Sequence, residues 1–177
     1  MIRFGGLRRL VPALALATFA GAAAAVAPAA TPLVTVHPTH LPLSLGLPSG
    51  WQVTALSAGA RFDAAAADGS ARLAVTTGLY PGTFAAFAAS ETASAGRFYR
   101  SQDSGASLTT HRVMLRSGPA LEIDVRLQHG GSPLAISLFS ILHDSISYHF
   151  TYSTSQSAAA FEEPGFEASV RSITFTS

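Results

Sequence analysis

The chain contains no cysteine, no lysine and no asparagine. Each absence closes off a chemistry. Without cysteine there is no thiolate nucleophile. Without lysine there is no Schiff-base amine and no phosphate-loop cation. Without asparagine there is no N-glycosylation acceptor. All 11 cationic side chains are therefore arginines, and they are dispersed: beyond the first ten residues the tightest grouping is Arg97 with Arg100. A nucleic-acid binder presents a basic patch or stripe, so that function class is excluded.

Acidic charge is also missing from one place. Residues 1–9 hold Arg3, Arg8 and Arg9 and no acid, and residues 10–30 hold no charge at all. That run is mostly Ala, Leu and Val, and Ala27-Pro28-Ala29 places small residues at an exit. A basic start, an apolar middle and a small-residue exit form the signal-peptide template. Residues 1–29 are read as a signal peptide, expected as a detached helix, with a secreted or envelope destination after cleavage. A spanning helix needs about 20 apolar residues, so a retained anchor is the alternative, and the only route to a membrane. Lipid attachment at a lipobox needs a cysteine, so a lipid anchor is excluded. Cleavage removes three arginines and leaves 8 Arg against 10 Asp plus Glu, a formal charge of −2. What remains is one ordinary domain in length, large enough to bury roughly 70% of its unfolded surface without disulfide staples.

Residues 30–41 read as a proline-rich extended linker, and residues 42–177 as a single domain. His37 and His40 in the linker have a ligand-like spacing, but a proline-rich segment supplies no supporting groups for a metal. Leu43, Leu45 and Leu47 alternate with Ser44 and Gly46, the period of a strand. Residues 51–56, 61–67 and 72–78 read as further strands, with Asp68-Gly69 as a hairpin turn. Thr83 caps a helix whose stripe is Phe84, Phe87, Ala88, Ala95 and Phe98; Glu91 falls on that stripe, and Gly96 is expected to end or bend it. Four strands follow, over residues 107–116, 120–128, 134–142 and 146–152. In the second of these, Leu121, Ile123, Val125 and Leu127 alternate with Glu122, Asp124, Arg126 and Gln128. The third is apolar on both faces and so reads as central and covered on both sides. A last helix over residues 155–171 carries Phe161, Phe166 and Val170 as its apolar side, with Pro164 expected to interrupt or kink it. Ile173 and Phe175 suit a final strand. Segregated strand runs of this kind indicate an antiparallel α+β domain.

Several stretches resemble the PsbP-like superfamily, including its LpqN-type actinobacterial envelope proteins. They are Leu45-Gly-Leu-Pro-Ser-Gly-Trp51, Gly118-Pro-Ala-Leu-Glu-Ile-Asp124, Ser147-Tyr-His-Phe-Thr-Tyr152 and Phe166-Glu-Ala-Ser-Val-Arg-Ser-Ile-Thr-Phe175. The resemblance spans residues 41–177. It implies an α/β/α sandwich, a curved antiparallel sheet with helices on both faces, and it brings no shared catalytic residues.

The candidate sites are few. No Gly-x-Ser-x-Gly elbow accompanies the serines and His111, His129, His143 and His149. His143, Asp144 and His149 suggest a metal site only if one strand holds both histidines on one face. Glu122 and Asp124 have the spacing of an acid–base pair, or form a solvent face neutralised by Arg126, with Arg112 and Arg116 as cross-strand partners. The aromatic residues Trp51, Phe84, Phe87, Tyr99, Tyr148 and Tyr152 are enough to line an apolar groove between helix and sheet. No catalytic residue, metal or cofactor is assigned. The expected function is a non-enzymatic binding or accessory protein of the bacterial envelope, taking an apolar or lipid-like ligand or an envelope protein. An interaction module without a small ligand and a hydrolase with an unrecognised site are the alternatives.

Overall fold

The computed structural model describes residues 32–176, so the signal-peptide reading of residues 1–29 lies outside the described residues. The described chain runs β1 (Leu33–Val36), β2 (Leu43–Pro48), β3 (Trp51–Val53), β4 (Phe62–Ala66), β5 (Ala71–Leu79), α1 (Phe84–Gln102), β6 (Ser107–Leu115), β7 (Gly118–His129), β8 (Ser132–His143), β9 (Ile146–Ser155), α2 (Gln156–Arg171) and β10 (Thr174–Phe175). Seven strands form one sheet in the order β3-β4-β5-β9-β8-β7-β6, and every neighbouring pair is antiparallel. β1, β2 and β10 form a second, three-stranded sheet. The domain is α+β, with α1 on one face of the large sheet and α2 with the small sheet on the other.

Strand alternation builds the two cores. On β7 and β8, Leu121, Ile123, Val125, Leu134, Ile136 and Leu138 point to the α1 face. On β8 and β9, Phe139, Ile141, Tyr148, Phe150 and Tyr152 point to the other, where Phe166 and Val170 of α2 and the leucines of β2 meet them. β8 is buried on both faces from Leu134 to Ile141, as a continuous apolar run requires. Tight turns set the register. β7 and β8 are joined by Gly130-Gly131, and β8 and β9 by Asp144-Ser145, all four residues at positive φ. That is the pattern of a type I′ hairpin, whose twist matches the strands it joins.

Four local expectations are corrected. Within the proline-rich linker, Leu33–Val36 pairs antiparallel with β2, because an unpaired strand beside it offers hydrogen bonds that the intervening prolines do not block. α1 passes through Gly96 and ends at Asp103, because packing of Ala95 and Tyr99 on the sheet outweighs the cost of one glycine. α2 is likewise not interrupted at Pro164 and runs on to Arg171, with Phe166 and Val170 held on the core. Phe161 does not share their side and is 45% exposed; at 3.6 residues per turn, five residues from Phe161 to Phe166 carry it well round the helix.

Candidate functional site

The six aromatic residues singled out in the sequence are divided between two opposite faces of the sheet. Phe84, Phe87 and Tyr99 belong to the α1 face. Phe87 is fully buried, with its ring against Tyr80 at 5.2 Å and His149 at 6.0 Å. Tyr99 is buried too, and burial pushes its phenol up to about 12. Trp51, Tyr148 and Tyr152 belong to the α2 face. Tyr152 stacks on Phe166 at 4.1 Å and on Trp51 at 5.8 Å. Its hydroxyl donates to Glu162 at 3.3 Å, and burial, reinforced by that carboxylate, raises its pKa. No single groove gathers the six, because alternation along the strands sends their side chains to opposite faces. On the side of α1 that meets the sheet, Phe87, Ala88, Ala95 and Tyr99 are buried.

The histidine candidates are separated in the same way. Asp144-Ser145 breaks the strand register, so His143 stacks on Phe175 at 4.0 Å on the α2 face while His149 lies under α1. Among the described residues, no group of three or more His, Asp or Glu is placed to hold a metal ion. His149 does meet serines: Ser140 Oγ is 3.1 Å from Nδ1 and Ser147 Oγ 3.2 Å from Nε2. Glu91 Oε2 lies 3.5 Å from Nδ1, which explains why a glutamate interrupts the apolar stripe of α1. Ser140 is fully buried, Ser147 is 5% exposed, and burial lowers the imidazole to about 4. This is a neutral polar contact within the core. Acyl transfer needs a nucleophile that substrate can reach, and both serines are buried.

An open cleft lies elsewhere. It has a volume of about 290 Å³ and sits between α2 and the β6–β8 part of the sheet. Glu122, Asp124 and Arg126 of β7 form its floor with Ser137 and Phe139 of β8, while Glu163, Phe166 and Glu167 of α2 wall it and Ser107 and Thr109 of β6 line the far side. The row read from the sequence as an acid–base pair or a solvent face is thus the bottom of a carboxylate-rich trough. Arg112 and Arg116 are not its partners: Arg112 pairs with Leu121 and points to the other face, and His111 stands opposite Glu122. Arg126 instead donates to Glu163, and Ser137 donates to Asp124 at 2.8 Å. Glu122 accepts no side-chain hydrogen bond among the described residues. Partial burial, then the neighbouring Asp124 and Glu167 charges, raise its pKa, against the opposing pull of His111 and Arg171. The stack of Trp51, Tyr152 and Phe166 abuts this cleft through Phe166 and Phe139, whose ring centroids are 5.5 Å apart. The row was visible in the sequence; only α2, folding back over it, made it a cleft.

With an antiparallel sheet flanked by α1 on one face and α2 on the other, the chain can be set beside solved structures. The solution structure of cyanobacterial PsbP (CyanoP) from Synechocystis sp. PCC 6803 superposes with a TM-score of 0.63 at 15% identity, over 86% of this chain and 97% of that one. The chain has the PsbP-like fold. LpqN of Mycobacterium tuberculosis, involved in cell envelope biogenesis, shares it at a TM-score of 0.60 and 11% identity, over 82% of this chain and 91% of LpqN. The Ran-binding protein Mog1p of Saccharomyces cerevisiae shares it at 0.60 and 7% identity, over 82% and 96%. No family model matches the chain, and no curated protein matches it in sequence. Identities this low carry the PsbP-like fold and nothing about its use. Among the described residues, no helix is long and apolar enough to cross a membrane.

Proposed function

We propose that this chain is an exported, non-enzymatic binding protein of the cell envelope, and that it engages a partner protein at the cleft beneath α2. The cleft is the observation that carries the reading. It is open, its carboxylates outnumber its single arginine, and Phe139 and Phe166 add an aromatic floor. Protein-docking sites combine polar groups with aromatic anchors in this way. A lipid-like ligand would need an apolar cavity, and at the α1 interface where one was expected Phe87, Ala88, Ala95 and Tyr99 are buried. Two proteins with this fold lend support by their own roles: LpqN is involved in cell envelope biogenesis and Mog1p binds Ran. Export rests on Arg3, Arg8 and Arg9 ahead of an uncharged run.

Two measurements test the reading. Residues 1–41 fused to a phosphatase that is active only after export should give activity outside the cytoplasm; a silent fusion would sink the export half. Immobilised wild-type protein should retain an envelope protein that the Glu122→Gln/Glu167→Gln variant does not. Equal retention by both would remove the cleft from the binding surface.

A further inference from the structure

β6 closes one edge of the seven-stranded sheet, and among the described residues no element pairs with its outer side. Natural sheets blunt such edges with very short strands, prolines, bulges or lysines. The opposite edge follows that rule, since β3 has 3 residues. β6 does not. It has 9 residues, Ser107-Leu-Thr-Thr-His-Arg-Val-Met-Leu115, with no proline, glycine or lysine, and it is rich in the β-branched residues that suit strands. Thr109, Thr110, His111 and Arg112 are exposed, and Met114 is 73% exposed. Its outer N–H and C=O groups therefore form a ready template for an added strand.

The side chains of β6 on the α2 face give that template a chemistry. Ser107 lies opposite Arg126, Thr109 opposite Asp124 and His111 opposite Glu122. Ser107 and Thr109 are short, and both line the cleft, so the cleft opens sideways across this stretch of the edge. A strand added to β6 would lie two strand spacings from β7, about 9–10 Å. A long basic side chain crossing over Ser107 and Thr109 can meet a glutamate or aspartate reaching up from β7 or α2. Residues two apart on the added strand point to the same face, so two side chains entering over Ser107 and Thr109 arrive side by side, next to Asp124 and the α2 carboxylates Glu163 and Glu167. The Glu122 carboxylate faces the cleft and accepts no hydrogen bond among the described residues.

We propose that β6 accepts an extended segment of a partner protein as an eighth strand, with alternate lysine or arginine side chains of that segment reaching over Ser107 and Thr109 into the carboxylate-lined cleft. Main-chain pairing supplies adhesion, and the alternate-residue pockets supply specificity, as in strand-addition complexes generally. The inference rests on the cleft reading and adds to it the route of entry and the chemistry of the partner.

The probe is a labelled ten-residue peptide alternating Lys and Val, titrated by fluorescence anisotropy against the wild-type protein. Two companions are used: the same peptide N-methylated at alternate residues, in both phases, and one with Glu in place of Lys. The parent peptide should bind, the Glu peptide should not, and N-methylation on the pairing phase should weaken binding by about tenfold or more, because it removes the ladder donors. Glu122→Gln/Glu167→Gln should weaken the parent by about tenfold, as expected for two partly exposed ion pairs, with its thermal unfolding checked against wild type. Carbonyl-labelled peptide should show a β-sheet amide band on binding. If the N-methylated peptides bind as well as the parent while the carboxylate variant binds weakly, strand addition is overturned and the cleft reading stands. If the variant binds the parent peptide like wild type, or the parent does not bind at millimolar concentration, both fail for a basic segment.

Discussion

His149 offers a direct measure of how firmly α1 closes on the sheet. Its side chain is 18% exposed, contacts Phe87 and Glu91 of α1, and hydrogen-bonds Ser140 and Ser147 of the sheet. Burial lowers its pKa from 6.5 to about 4, and the nearby Glu91 carboxylate does not overcome it. The direction of the pH effect follows. Above pH 6.5 the imidazole is neutral in both folded and unfolded chains, and the fold keeps its full stability. Between about 6.5 and about 4 the unfolded chain takes up a proton that the folded chain refuses, so stability falls with pH. Below about 4 both forms are charged and the loss levels off. At about 1.4 kcal/mol per pH unit the whole displacement amounts to about 3 kcal/mol, of which about 2.5 kcal/mol is lost by pH 4.5. The assay is urea unfolding of wild type and His149→Gln from pH 7.5 to 4.5. The variant keeps a hydrogen-bonding side chain but does not titrate, so the wild-type minus variant difference isolates this residue. That difference should shrink by about 2–3 kcal/mol on acidification. A difference that stays flat, or a His149 ring that titrates near 6.5 by NMR, would refute the claim that α1 seals this site.

Three further outcomes follow from other parts of the fold. Ser145 sits at φ 61° in the β8–β9 turn, a conformation that strains any residue with a Cβ; Ser145→Gly should raise stability by about 0.5–1 kcal/mol in denaturant unfolding. Asp63 is fully buried and accepts from Arg72 at 2.9 Å and from Ser57 Oγ at 2.9 Å. Asp63→Ala leaves those donors and the Arg72 charge without this partner, and should cost about 3 kcal/mol or more by the same measurement. Gly165 lies mid-helix in α2, and a Cβ there would meet Pro48 Cγ at an ordinary 3.5 Å; Gly165→Ala should therefore stabilise by about 0.5–1 kcal/mol, and a loss would show that α2 packs more tightly on Pro48 than this spacing implies.

Much of the fold was legible locally. Leu121, Ile123, Val125 and Leu127 alternate with charged partners, and they occupy the α1 core as that period requires. Thr83 caps α1 and its Oγ1 accepts from the Ala86 N–H at 3.3 Å. Gly130-Gly131 turns where glycine is needed for positive φ. What was misjudged depended on energies from elsewhere in the chain. Gly96 and Pro164 are unfavourable in a helix taken alone, yet each helix passes through because other residues of it, Ala95 and Tyr99 in α1 and Phe166 and Val170 in α2, are buried.

The candidate site divides along the same line. The sequence determined that Glu122, Asp124 and Arg126 share one strand face, since a period of two is a property of the backbone itself. It determined the absent chemistries and the basic, uncharged pattern of the first thirty residues. Only the tertiary structure decided that α2, forty residues further on, would bring Glu163 and Glu167 over that row and turn it into a cleft. It also decided that the six aromatic residues would be divided between two cores. Periodicity reports which side chains share a face; which element covers that face is set by long-range packing, and no local pattern encodes it.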